Sequence, residues 1–151
     1  CIAGYNFDEK VSLPNIEFEN SKIEKEHKND LLSEKELQSI KEKILSIFQK
    51  DKPYLEPKLD LNQLSKQLGI SSNILSFVIN KGFEKNFNDF INNYRINEVI
   101  EKMKNPANVN FTLLSIAFDC GFNSKTTFNR VFKRVTKKSP KEFWAEIKAT
   151  S

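Results

Sequence analysis

Turn-forming residues are scarce in this chain, with 4 glycines and 5 prolines in 151 positions. A protein built of many short strands needs such residues at every reversal. An all-β architecture is therefore disfavoured and helices are expected. Cysteine and histidine are scarcer still: Cys1, Cys120 and His27 cannot supply the four ligands of a structural zinc site. The spacing of the two cysteines gives no support for a disulfide, and both are expected to be structural or incidental. The longest apolar run, "ILSFVI", is far shorter than the roughly 20 residues that cross a bilayer, and no secretory signal is evident. A Gly-rich phosphate loop and a convergent set of acids are also missing. Catalysis is not expected, and no cofactor or metal is implied.

What the chain does have is phenylalanine (13 of them) and an uneven distribution of charge. The net charge of +4 hides a division. Residues 1–60 hold 10 Lys/Arg against 13 Asp/Glu, a balance of −3, whereas residues 61–151 hold 14 against 7, a balance of +7. A positive field confined to one part favours a polyanionic partner, although a solvated basic surface would look the same by charge alone.

Residues 1–30 are polar, weakly periodic and contain Pro14. Together with the next two residues they are expected to form a linker, or the tail of a sensor domain upstream of Cys1. At Ser33 the character changes. "SEKE" puts Glu36 three residues after a serine, a capping box. Leu37, Ile40, Ile44, Ile47 and Phe48 then mark one face of a helix, stopped by Pro53 and Pro57. At under three heptads the stripe favours docking on the domain over a coiled-coil seam.

From Asp60 the signals become dense. Asp60 is expected to cap a helix whose inner face carries Leu61, Leu64 and Leu68, and Gly69 fits a left-handed C-cap. Ser71 opens a second helix with Leu75, Val78 and Ile79 inward. A longer helix over Phe87–Lys104 follows, with Phe87, Phe90, Ile91, Tyr94, Ile96, Val99, Ile100 and Met103 as its apolar positions. Then the pattern restarts. Thr112 caps, Leu113, Ile116, Ala117 and Cys120 face inward, and Gly121 turns the chain. Asn123 is expected to cap the next helix, with Phe128, Val131, Phe132 and Val135 inward. Pro140 starts a last helix carrying Phe143, Trp144 and Ile147.

Leu64, Leu68, Gly69 and Ile70 align with Ile116, Cys120, Gly121 and Phe122 at an offset of 52. Leu75, Ile79 and Phe90 align with Phe128, Phe132 and Phe143 at an offset of 53, so one extra residue is expected at the start of the second copy's second helix. A repeat of helix, glycine turn, helix is hard to produce by chance.

A short helix, a glycine turn and a second helix with a polar start form the helix-turn-helix pattern, in which the first helix braces the second and the second enters a major groove. In the second copy the outward positions are Ser124, Lys125, Thr126, Thr127, Asn129, Arg130, Lys133 and Arg134. These side chains donate to base edges, touch thymine methyls or bind phosphates. The matching set in the first copy is Ser72, Asn73, Ser76, Phe77, Asn80 and Lys81, weaker in charge. Phe77 is aromatic where the groove should lie, which fits extra core packing as well as contact with a thymine methyl.

"SIAFDCGFNSKTTFNRVFKRVTKKSPKEF" resembles the signature of the AraC/XylS-type family of bacterial transcription regulators. "NFNDFINNYRI" is similar to that family's connecting helix, and the likeness covers roughly residues 36–148. It implies an all-α DNA-binding domain of about seven helices over residues 33–151, with two helix-turn-helix units sharing one long helix. By position, Lys125, Thr126, Thr127 and Arg130 would be the second reading set, and Asn73, Ser76 and Phe77 the first. Lys137 stands where the family usually has Gly ahead of Ser139-Pro140, Glu84-Lys85 replaces a frequent Gly, and Trp144 replaces a frequent Arg.

The resemblance implies a cytoplasmic protein that binds double-stranded DNA, contacts RNA polymerase if it activates, and dimerises through a region upstream. Its connecting helix would be about 27 Å long at 1.5 Å per residue, against about 34 Å between successive major-groove segments on one face. Recognition helices projecting past its ends would let one monomer read two such segments. The rival reading is a helical protein-interaction module. An RNA-binding role is disfavoured because no aromatic stacking platform shows in the pattern.

Overall fold

The Ser33 N–H donates to Glu36 Oε1 at 3.0 Å and the Glu36 N–H donates to Ser33 Oγ at 3.2 Å, the reciprocal pair expected from "SEKE". They open helix α1, Glu34–Lys50. The structure is a computed structural model and describes residues 32–150. The expectations for Cys1, His27 and the N-terminal linker therefore lie outside the described residues.

Six more α-helices follow, and the described residues contain no strand. They are α2 Leu61–Leu68, α3 Ser72–Gly82, α4 Phe87–Lys104, α5 Leu113–Asp119, α6 Lys125–Thr136 and α7 Pro140–Thr150. Short 3-10 turns at Pro53–Leu55 and Pro106–Asn108 complete the path. Among the described residues the all-α, seven-helix expectation holds, and the bounds of α4 are those read from its periodicity.

The chain divides into two compact units. The first comprises residues 32–49 and Leu61–Phe87. Its buried side chains are Ile44 and Phe48 from α1, Leu64 and Leu68 from α2, and Leu75, Val78 and Ile79 from α3. The α1 stripe is thus used for docking, as its short length implied. Lys43 Nζ donates to the Leu68 carbonyl at 3.0 Å, giving one of the orphan carbonyls at the end of α2 a charged partner.

The second unit comprises Lys50–Asp60 and everything from Asn88. Ile96, Val99 and Met103 of α4, Ile116 and Ala117 of α5, Phe128, Val131 and Phe132 of α6 and Trp144 of α7 share one core with Cys120 and Phe122. A chain of ring contacts runs through it: Phe122 to Phe128 at 5.3 Å, Phe128 to Phe132 at 5.7 Å and Phe132 to Phe143 at 5.4 Å between centroids. Such tilted and edge-on pairs each add about 0.5–1.5 kcal/mol beyond the area they bury. α7 opens with a second capping box, Ser139 with Glu142, which "SPKE" encodes.

The two glycine turns share one hydrogen-bond pattern at the offset of 52. The Gly69 N–H donates to the Lys66 carbonyl and the Ile70 N–H to that of Ser65; the Gly121 N–H donates to Phe118 and the Phe122 N–H to Ala117, all at 3.1–3.2 Å. This pairing of a short and a long reversal is the Schellman motif, and it needs a left-handed residue after the helix. Both glycines supply it, with φ of +73° and +105°.

Two expectations are corrected. Ser124, not Asn123, caps α6: its side chain accepts from the Thr127 N–H at 3.2 Å. A cap reaches the N–H three residues on, so with α6 starting at Lys125 the Asn123 side chain sits one position too early. Ser71 caps α3 in the same way, through the Ile74 N–H. The caps are therefore 53 apart, and the extra residue is Asn123 in the turn rather than a residue within the helix. Val135, expected inward, is 36% exposed. It lies in the last turn of α6, beyond Phe132, where the helix has run past the core.

Candidate nucleic-acid interface

Helix α6 buries Phe128, Val131 and Phe132, so the opposite face must meet solvent. That face carries Lys125, Thr126, Asn129, Arg130, Lys133 and Arg134, all exposed, with Thr127 half-buried at its edge. Ser124, also half-buried, spends its hydroxyl on the cap. Arg134 Nη2 pairs with Asp89 at 3.2 Å, with both side chains partly exposed. The structure thus brings seven of the eight candidates onto or beside one polar, basic surface, and gives Ser124 a structural duty as well.

In the first unit α3 buries Leu75, Val78 and Ile79. Asn73, Asn80 and Lys81 are exposed, whereas Ser76 and Phe77 are half-buried. Ser72 is held inward. Its hydroxyl bonds to the Asn62 side chain and lies 3.2 Å from that of Ser65, tying the start of α3 to α2. The Asn80 amide donates back to the Ser76 carbonyl at 2.9 Å. This face is polar and adds only Lys81 in charge.

Sequence reasoning missed the support beneath the second turn. Arg95 of α4 reaches across to the 3-10 turn, where Nε donates to the Tyr54 carbonyl at 2.7 Å and Nη2 to the Glu56 carbonyl at 3.0 Å. Its guanidinium carbon stands 5.9 Å from the Phe122 ring centroid. One turn along α4, Glu98 accepts from Lys52 Nζ at 3.2 Å and from the Tyr54 hydroxyl at 3.2 Å. Burial lowers the Arg95 guanidinium from its ordinary value, opposed by the Glu56 carboxylate. Burial, then the Glu98 charge, raises the Tyr54 phenol. Cys120 is buried and its thiol is pushed up to about 12, chiefly by desolvation. It is an inert core residue, not a nucleophile. No residue spacing would have shown Arg95 to be more than a solvated charge on a helix.

A family model described as a helix-turn-helix domain matches residues 64–146, more than half of the chain. The chain belongs to the AraC-type helix-turn-helix family. No curated protein matches it in sequence. Among solved structures, it resembles the C-terminal domain of the two-component response regulator yesN from Fusobacterium nucleatum at 25% identity and a TM-score of 0.59, covering 70% of this chain and 98% of that one. A protein of unknown function from Listeria innocua gives 24%, 0.60, 70% and 95% in the same terms. A Chromobacterium violaceum transcriptional regulator with an AraC-type DNA-binding domain shares the fold at 17% identity and a TM-score of 0.53, over 59% and 77%.

AraC-type membership makes this a DNA-binding domain of the kind used in transcription regulation. It also sharpens the departures from the family pattern. Lys137 and Glu84, which stand where glycine is frequent, keep the left-handed backbone that glycine would adopt, with φ of +69° and +57°. Trp144, in place of a frequent arginine, is a core residue with Lys148 Nζ 4.3 Å from its ring centroid. Among the described residues no helix is long and apolar enough to cross a membrane, and no group of acids, His and Cys is placed to hold a metal.

Proposed function

We propose that the chain is a cytoplasmic, non-enzymatic regulator that binds double-stranded DNA sequence-specifically, with α3 and α6 each entering the major groove. The observation that carries this reading is the repeated Schellman turn, present twice with the same bonds and each time followed by a serine-capped helix with a polar outer face. α6 is the principal reader. In this reading Arg130 grips a guanine in bidentate fashion, Lys125 and Asn129 reach neighbouring base edges, and Thr126 and Thr127 meet thymine methyls. Lys133 and Arg134, a turn further on, bind phosphates. From α3, Asn73, Ser76, Phe77 and Asn80 contribute a less charged second contact, with Lys81 on the backbone and Ser72 setting the helix start. The 18 residues of α4 suit consecutive rather than distant groove segments.

Selection of bound duplexes from a random library tests the reading, with affinity then followed against salt. Binding through about six phosphates falls by orders of magnitude between roughly 50 and 200 mM salt. An enriched asymmetric motif with that steep slope supports sequence-specific reading. No enrichment and a flat slope would leave the protein-interaction alternative.

A further inference from the structure

The two glycine turns are alike in backbone and unlike in surroundings. A Cβ added at Gly69 meets no described atom within 4 Å. A Cβ added at Gly121 would collide with the Tyr54 carbonyl oxygen and come within 2.6 Å of Arg95 Nε. The second turn is therefore pressed against the hydrogen bond that joins α4 to the Pro53–Leu55 turn.

We propose that Arg95 is a positioning residue for the second reading helix, acting as a clamp that sets the angle at which α6 is presented to DNA. The chain of contacts is short. The guanidinium draws the Tyr54 and Glu56 carbonyls onto α4. The same group lies against Gly121 and near the Phe122 ring. Phe122 packs on Phe128, the first buried residue of α6. Only Asn123 and the Ser124 cap separate Phe122 from α6. The Lys52–Glu98 and Tyr54–Glu98 bonds anchor the other end of the same turn, so Arg95 closes a bracket already fixed at one side. Arginine suits the task because its planar fork serves two carbonyls and an aromatic face at once, which lysine cannot do. A reader held from behind by such bonds keeps its base contacts in register, whereas a loose one still binds phosphate but discriminates poorly. This inference rests on the assignment of α6 as a sequence reader.

The test measures discrimination, not affinity alone. A duplex selected by the intact chain is altered one base pair at a time under each unit, and the ratio of matched to mismatched Kd is taken for wild type, Arg95→Met, Arg95→Lys and Arg130→Ala. Arg95→Met should lose about tenfold in discrimination under the second unit, the scale of one charged hydrogen bond, and keep it under the first. Arg95→Lys, with a single donor nitrogen in place of the two that arginine uses, should recover part of it. Equal loss under both units, or no loss in a folded variant, overturns the clamp. If Arg130→Ala leaves second-unit discrimination intact, α6 is not the reader, and the clamp falls with that assignment; if only Arg130→Ala reduces it, the clamp alone falls. Should Arg95→Met not fold, hydrogen exchange in the wild-type chain decides. The Gly121 N–H should be protected about tenfold more than the Gly69 N–H, and equal protection overturns the proposal.

Discussion

Lys137 donates its backbone N–H to the Lys133 carbonyl at 2.8 Å while holding a φ of +69°. It closes α6 in a conformation that favours glycine, at a steric cost of about 1 kcal/mol for a side chain with a Cβ. Lys137→Gly should therefore stabilise the chain by roughly 0.5–1 kcal/mol, net of the extra freedom glycine gains when unfolded. Denaturant midpoints measure this directly. A loss of stability would mean that the lysine side chain makes a contact worth more than the strain. Glu84→Gly, at φ +57°, should move in the same direction.

The glycines at the two turns should respond unequally to alanine. Gly69→Ala meets open space and should cost only the left-handed penalty, about 1–2 kcal/mol. Gly121→Ala must also displace the Tyr54 carbonyl or Arg95, so its cost should be larger, at roughly 3 kcal/mol or more. Thermal unfolding of the two variants side by side checks the order.

Asp89 engages Arg134 on the surface proposed for phosphate contact. Asp89→Asn removes a like charge to the DNA backbone and releases the arginine, so affinity for any duplex should rise by about threefold at low salt. Stability should change by less than about 1 kcal/mol, as is usual for exposed pairs. Unchanged affinity at low salt would place Arg134 away from the DNA. Lys133→Ala, in contrast, should weaken all duplexes alike and reduce the salt slope by about one.

Cys120 gives the chain a sensitivity to alkali. Its thiol sits at about 12 in the folded protein against an ordinary 9.0, so the folded state holds the proton and the unfolded state releases it first. The associated stability is complete below pH 9.0 and is lost as pH rises from there through the folded value. Cys120→Ala should flatten the decline between about pH 9 and 11, measured by urea titration at each pH. Tyr54, raised in the same sense, would leave a residual decline above its ordinary 10.0.

The architecture was readable because it is periodic. Buried positions such as Leu64, Leu75 and Phe128 recur at helical spacing, and the glycines repeat with the core around them. Asn123 and Ser124 are both good caps by residue type, and only the start of α6 at Lys125 decides between them. Val135 kept the period but not the burial, since periodicity cannot say where a core ends. Most of the exposed α6 face followed from its complement, the buried stripe. Arg95 was invisible for a different reason. Its partners are backbone carbonyls some 40 residues away, and carbonyls carry no sequence signal.

In the proposed function one chain presents two readers to one duplex. Hydroxyl-radical footprinting of the intact chain on its selected duplex tests it most directly. Two protected segments about 10 base pairs apart on one face are expected, in an asymmetric site, with the firmer protection under Lys125–Arg130. Protection of a single segment, or a strictly palindromic site occupied only by two chains, would contradict it.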